Sequence, residues 1–167
     1  MKWGIILKRI AQFEKISKTQ FEKDFKGVSC GYDEIKLPKR ATSGSAGYDF
    51  FITEDIELSP GETVKIPTGI RVKIDDGWVL KIYPRSGLGF KYRLQLNNTV
   101  GIIDSDYYNS DNEGHIFIKI TNDSNEGKTL LLKKGDGFAQ GIFVEYGITF
   151  DDGADGVRNG GFGSTSK

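Results

Sequence analysis

The sequence has a single cysteine, Cys30, so no intramolecular disulfide framework can staple it. It also has a single histidine, His115, and no cluster of His and Cys, which argues against a tightly held transition metal. Neither sign of charge is in excess. With 23 Lys and Arg against 23 Asp and Glu, no global field draws the chain to nucleic acid or a membrane surface, so any anion must be held by a local constellation. Long apolar runs are missing too. The stretch from Met1 to Ile10 carries Lys2, Lys8 and Arg9 and is too short in apolar residues for a signal peptide or a membrane span, so a reducing, cytoplasmic setting is expected. There is no Gly-x-x-x-x-Gly-Lys-Ser/Thr loop, no Gly-x-Ser-x-Gly elbow and no internal repeat.

What is present argues for β structure. The 167 residues suit one domain, and they include 22 glycines, seven tyrosines and eleven phenylalanines in short apolar runs. Val64 and Ile66, then Ile70, Val72 and Ile74, alternate with polar neighbours across Pro67-Thr-Gly69. Asp75-Asp-Gly-Trp78 reads as a turn into a strand from Trp78 to Tyr83, Ile116, Ile118 and Ile120 alternate again, and Lys134-Gly-Asp-Gly137 turns into a strand from Ala139 to Tyr146. Many short strands without intervening helices predict an all-β sandwich or barrel. Ahead of them, the first forty residues read as a strand and a short helix, with Ser17-Lys-Thr-Gln20 at capping-box spacing and Phe21 and Phe25 four apart.

Three stretches carry candidate chemistry. In Asn98 to Asn109, Val100, Ile102 and Ile103 predict a buried strand and Asp-Ser-Asp a turn, but neither explains Gly101 inside the strand or Tyr107 and Tyr108 beside the turn. Tyr83 to Phe90 offers Arg85, Ser86 and the amides freed by Gly87 and Gly89 to a phosphate, or else simply a turn that starts a short helix. Gln140 sits among apolar residues and must be hydrogen-bonded, to backbone or to a ligand. The tail from Asp151 to Lys167 is rich in Gly and polar residues and by composition reads as a frayed terminus.

The order of these stretches is more telling than any one of them. Ala41-Thr-Ser-Gly-Ser-Ala-Gly-Tyr-Asp-Phe50, Pro84-Arg-Ser-Gly-Leu-Gly89, Asn98 to Tyr107, Gly135-Asp-Gly-Phe-Ala-Gln-Gly-Ile-Phe143 and Arg158-Asn-Gly-Gly-Phe-Gly-Ser-Thr165 resemble, in order, the five motifs of the trimeric dUTPases. The resemblance runs from about Leu37 to the end. It implies an all-β dUTPase-like jelly-roll sandwich or distorted barrel with a short N-terminal helix. Residues 1–36 would form an extension, 37–150 the core and 151–167 a flexible Gly-rich lid. It implies a homotrimer whose active sites are shared between chains and which hydrolyses dUTP to dUMP and pyrophosphate with Mg2+. Such an enzyme keeps uracil out of DNA and supplies dUMP for thymidylate synthesis.

The same resemblance distributes the roles. Asp104 would orient and deprotonate the water that attacks the α-phosphorus, and Asp106 would hold the turn. Because carboxylates are weak bases with reference pKa values near ~4, placing the water and stabilising developing charge must do most of the work. Asn98 and the backbone of Gly101, Ile102 and Ile103 would read the uracil edge and leave no room for a thymine methyl. Tyr107 would lie beneath the sugar, with Phe117 near the base. Arg85, Ser86, Gly87 and Gln140 would hold phosphates, joined by Arg158 from another chain. Phe162, Gly163 and Ser164 of the lid would close over the nucleotide. The magnesium would ride on the phosphates and waters, with Asp49 touching it through water. Two departures stand out: six residues, Tyr108-Asn-Ser-Asp-Asn-Glu113, separate Tyr107 from Gly114-His115 where the family has Tyr-x-Gly-Glu, and the last motif is one residue shorter than usual. The insertion is expected at the surface. Two alternatives stay open: a dCTP deaminase or bifunctional deaminase of the same fold, and a catalytically reduced trimer that binds a protein partner.

Overall fold

A computed structural model describes residues 7–160. Twelve strands and two short helices follow one another as β1 (Ala11–Lys15), α1 (Lys18–Asp24), β2 (Lys39–Arg40), β3 (Tyr48–Phe51), β4 (Ile56–Leu58), β5 (Thr63–Pro67), β6 (Ile70–Ile74), β7 (Trp78–Pro84), α2 (Ser86–Tyr92), β8 (Leu94–Leu96), β9 (Gly101–Ile103), β10 (Phe117–Asn122), β11 (Leu130–Leu132) and β12 (Gly137–Glu145). Every ladder is antiparallel, so the expected all-β architecture is what the chain adopts.

The largest sheet has the strand order β2-β3-β12-β7-β9, and a second sheet runs β5-β10-β8. Two strand pairs, β1-β6 and β11-β4, complete the sandwich. Alternation along the strands fills the space between them: Phe50, Phe138, Ile66, Leu80, Ile82 and Ile120 are all fully or almost fully buried. The strand order leaves β9 at an edge, where Gly101 is buried but Ile102 turns outward with 51% of its surface exposed. The expectation of a buried Ile102 is therefore corrected. Gly101 faces inward because it packs so close to β7 that a Cβ there would lie 3.1 Å from Cβ of Ile82. This close approach explains the glycine inside the strand.

The N-terminal segment is built into the core rather than appended to it. β1 pairs with β6 along its whole length, and Ile16 is fully buried. Ser17 caps α1 as its spacing suggests, with Oγ accepting the Gln20 N–H at 3.1 Å. The reciprocal arm of the expected box does not form. Gln20 instead donates to Asp24 at 2.8 Å, and the Ser17 N–H donates to Oε2 of Glu113 at 2.8 Å. A distant carboxylate thus closes the cap. The segment from Tyr108 to Glu113, expected at the surface, is docked on α1 and β6: Ser110 is 5% exposed and Arg71 Nη2 donates to the Tyr108 carbonyl at 2.9 Å.

Candidate active site

A cavity of about 540 Å³ opens between β9 and β10. Its lining includes Asn98, the strand Gly101–Ile103, Tyr107, Phe117 and Arg158, seven of the residues singled out from sequence. The strand β9 offers its outer edge to the cavity, because its other edge is spent on pairing Gly101, Ile102 and Ile103 with Ile82, Lys81 and Leu80 of β7. Asn98 sits where the chain turns back: the Thr99 N–H donates to the Leu96 carbonyl at 2.9 Å, and Thr99 adopts the left-handed φ of 67°. A β-branched residue in that region marks local strain at the cavity rim.

Asp104 follows β9 directly, with its side chain 43% exposed. The residues after it, Ser105–Asn109, form one 3-10 turn and bring Tyr107 inward, where it is 6% exposed. The Tyr107 hydroxyl donates to the His115 carbonyl at 2.8 Å, and burial pushes its pKa up, so it stays a neutral wall. Lys65 Nζ lies 4.1 Å from the centre of the Phe117 ring, on the opposite side of the same cavity.

Arg158 reaches the residues that follow β9 in its own chain. Its Nη2 meets Asp104 Oδ2 at 2.6 Å and its Nε lies 2.9 Å from Asp106 Oδ1. Asp106 therefore engages a guanidinium, where the sequence suggested a role inside the turn. Phe162, Gly163 and Ser164 lie outside the described residues; residues 152–160 carry no helix or strand.

The phosphate candidates form a second group on the same sheet. Arg85 Nε lies 3.4 Å from Asp49 Oδ1, and Gln140 is paired across the ladders with Asp49 on one side and Tyr83 on the other. Gln140 Nε2 makes a long 3.4 Å bond to the Pro84 carbonyl, and its Oε1 fills the space a Cβ on Gly47 would need, at 2.6 Å. Ser86 and Gly87 begin α2, where the first N–H groups have no partner within the helix. The stretch is a turn into a helix; the Leu88 and Gly89 N–H groups both donate to the Arg85 carbonyl at 3.0 Å, which corrects the expectation of a freed Gly89 amide, and the Ser86 and Gly87 amides lie ahead of those bonds. Asp49 stands three strands across from Gly101, roughly 14 Å at the ordinary spacing of about 4.8 Å. None of Asp49, Arg85, Ser86, Gly87 and Gln140 lines the β9 cavity.

Among the described residues no three His, Cys, Asp or Glu side chains gather as a metal site. Asp49 has the Arg85 guanidinium as its neighbour, which suits a hydrated cation carried by phosphates better than a bare one. Sequence reasoning missed Lys65, Ile116, Ile118 and Lys119 as cavity lining. Their alternation announced a strand, but nothing in it announced that the strand would face β9. No described helix is long and apolar enough to cross a membrane.

Comparison with known proteins meets this geometry. The sequence model of the dUTPase family matches residues 33–166. The chain is 43% identical over 139 residues to a deoxyuridine 5'-triphosphate nucleotidohydrolase of Lactococcus lactis, covering 78% of this chain and 88% of that one. Its fold resembles the dUTPase of Streptococcus mutans with a TM-score of 0.65 and 36% identity, over 84% of this chain and 98% of that one. A dUTPase from phage phi11 of S. aureus, described as coordinating a structural Mg(II) ion, shares the fold at 23% identity with a TM-score of 0.64, over 89% of this chain and 98% of that one.

Proposed function

The chain belongs to the dUTPase family, and from that premise we propose how its own residues divide the work of hydrolysing dUTP to dUMP and pyrophosphate. One observation carries the reading: a carboxylate, Asp104, stands at the end of an edge strand whose free backbone lines a cavity of nucleoside size.

Uracil enters that cavity and is read by Asn98 and the outer edge of Gly101–Ile103. Main-chain donors and acceptors discriminate strongly, because a base with the wrong polar groups would leave them buried and unpaired. The hairpin that carries β9 leaves no room for the methyl of thymine, and Tyr107 packs beneath the sugar. Asp104 then aims a water at the α-phosphorus and takes its proton. The water's oxygen bonds to that phosphorus as the bond to the bridging oxygen of the leaving pyrophosphate breaks.

The triphosphate is the natural competitor for Arg158. The guanidinium contacts Asp104 and Asp106; phosphate oxygens are anionic partners of the same kind, and engaging them would free Asp104. Arg85, Ser86, Gly87 and Gln140 hold the remaining phosphate oxygens. Asp49 would hold Mg2+ through water, and the ion would supply charge neutralisation to the phosphates. The separation between the Asp49 group and the β9 cavity supports a homotrimer in which neighbouring copies complete each site. The lid of residues 151–167 closes it.

The test is pyrophosphate release measured with dUTP, dTTP and dCTP in Mg2+, beside sedimentation of the protein. Release from dUTP alone, by a trimer, is expected. Comparable turnover of dTTP would remove the base-pocket assignment. Ammonia release from dCTP would move the protein to the deaminases, although the stretch Asn98 to Tyr107 contains no glutamate to serve that chemistry.

A further inference from the structure

The protein's only histidine is fully buried where α1 meets the nucleotide cavity. Its Nε2 accepts the Gly69 N–H at 2.9 Å, which leaves the ring proton on Nδ1. That proton is donated to Asp24 Oδ2 at 2.6 Å, and Gln20 donates to the same oxygen at 2.8 Å. The tautomer is therefore set by the fold. One face of the imidazole stacks on Phe25 at 6.0 Å between centroids, and Phe117 lies against it at 4.2 Å. The carbonyl of the same residue receives the Tyr107 hydroxyl. Phe117 and Tyr107 are two aromatic walls of the cavity, and His115 touches both.

The hairpin exit is fastened to the N-terminal segment by independent bonds, at the cap of α1 and on β1. Glu113 grips Ser17 through its N–H at 2.8 Å and its hydroxyl at 2.6 Å, and Tyr108 donates to Glu14 at 2.7 Å. The Arg71 guanidinium lies 3.6 Å from the centre of the Tyr108 ring. The six residues between Tyr107 and Gly114, which depart from the family pattern, are thus the part of the hairpin that meets the N-terminal segment.

We propose that the His115–Asp24 pair is a positioning couple through which α1 sets the aromatic walls of the uracil pocket, which makes the N-terminal segment a working part of the active site. This rests on the dUTP reading above, since the walls it sets are those of the base site. His115 and Asp24 act through Tyr107 and Phe117 and need not touch the nucleotide. If Asp24 becomes alanine, a buried N–H loses its acceptor, and the ring must turn or shift to find another. Either movement displaces Phe117 and relaxes the Tyr107 contact, loosening the grip on the base while leaving Asp104 in place.

The experiment compares Asp24→Ala with Asp24→Asn, which keeps an acceptor oxygen. Asp24→Ala is expected to raise KM for dUTP roughly tenfold with kcat within about twofold, because only binding geometry is lost. Asp24→Asn should stay within about threefold of the parent in both constants. A role confined to stability would lower Tm in Asp24→Ala and leave KM alone. An unchanged KM in folded Asp24→Ala, or equal KM rises in the two variants, would overturn the proposal. Because there is one histidine, 15N NMR reads the couple directly. The parent should show a single neutral imidazole protonated at Nδ1, whose signals move when a non-hydrolysable dUTP analogue binds. If Asp24→Ala does not fold, this measurement decides: signals that stay fixed at saturation refute the coupling. A parent protein inactive on dUTP whose imidazole still responded to the analogue would count against hydrolysis and for the couple.

Discussion

Gly114 packs against the backbone of the turn at Tyr107 and Tyr108, and replacing it with alanine tests how much of the site depends on that contact. Two costs can be separated. Its φ is +70°, where an L residue costs roughly 1–2 kcal/mol. A Cβ there would also lie 2.7 Å from the Tyr107 carbonyl oxygen and 2.8 Å from Cα of Tyr108, both backbone atoms. No side-chain rotation relieves such a clash, so the Tyr107–Tyr108 backbone must move by several tenths of an ångström, at about 1–3 kcal/mol. Gly127 supplies the control. It has the same φ of +70°, in an exposed loop, and a Cβ added to it would meet nothing within 4 Å. Gly127→Ala should cost about 1 kcal/mol or a little more, and Gly114→Ala about 2–5 kcal/mol. Urea denaturation at fixed protein concentration reads the difference, expected as a midpoint lower by on the order of 1 M in Gly114→Ala than in Gly127→Ala. Since the Tyr107 carbonyl also accepts the Ser110 N–H at 3.0 Å, the shift disturbs the turn itself, and KM for dUTP should rise in Gly114→Ala alone. Equal stability loss in the two variants would show that the turn gives way freely, and would refute the view that it is held rigid.

Asp104→Asn should lower kcat for dUTP by roughly 10²- to 10⁴-fold, the usual share of a general base, without changing Tm much; pyrophosphate release checks it, and activity within about tenfold of the parent would remove the assigned role. Arg158→Ala should raise KM roughly tenfold, because the phosphate loses a charge-assisted partner, and an unchanged KM would show that the guanidinium belongs only to its acidic neighbours. His115 sets a pH dependence of stability. Burial lowers its pKa below the ordinary value of 6.5, a shift that Lys65 reinforces and that Asp24 and Glu113 oppose. Between 6.5 and that lower value the unfolded chain binds a proton that the folded chain refuses. This contribution is therefore intact above pH 6.5 and lost as the pH falls through the window, at up to ~1.4 kcal/mol per pH unit. The urea midpoint at stepped pH checks it, and NMR titration of the imidazole at or above 6.5 would refute it.

The fold was legible wherever a strand was long enough to show its period. β5, β6 and β10 each run five residues or more and alternate visibly, whereas β7 and β12 show as longer apolar runs opened by turns. β2, β4, β8 and β11 span two or three residues, too few for alternation to stand out, and owe their existence to the partner they pair with. Ile102 was misjudged for a related reason: a three-residue apolar run says that a strand is near the core, not which of its faces is inward. The capping signal at Ser17 was legible by half. Its local bond to Gln20 follows from spacing, but the second partner, Glu113, is 96 positions away.

The site residues were legible as types and order, and much less as an assembly. Motif strings name Asp104 and Arg85 but carry no distance between them, and the sheet order sets Asp49 three strands from Gly101. The strand that reads the base has its own physical requirement. Being an edge strand of three residues, β9 is held in its sheet only by β7, and so it cannot fix the hairpin beyond it by ladder bonds alone. The remaining restraint comes from outside the sheet and from both ends of the chain. Tyr107 is anchored to the His115 carbonyl, and the His115 ring to Asp24 of α1; Arg158 draws Asp104 and Asp106 together from the C-terminal side. A backbone edge left free to bind a ligand is by the same fact short of partners to hold it still. The aromatic and ionic anchors around β9 follow from that shortage, which is why substitutions at Asp24 or Gly114, outside every motif string that names a catalytic group, should register in the binding of dUTP.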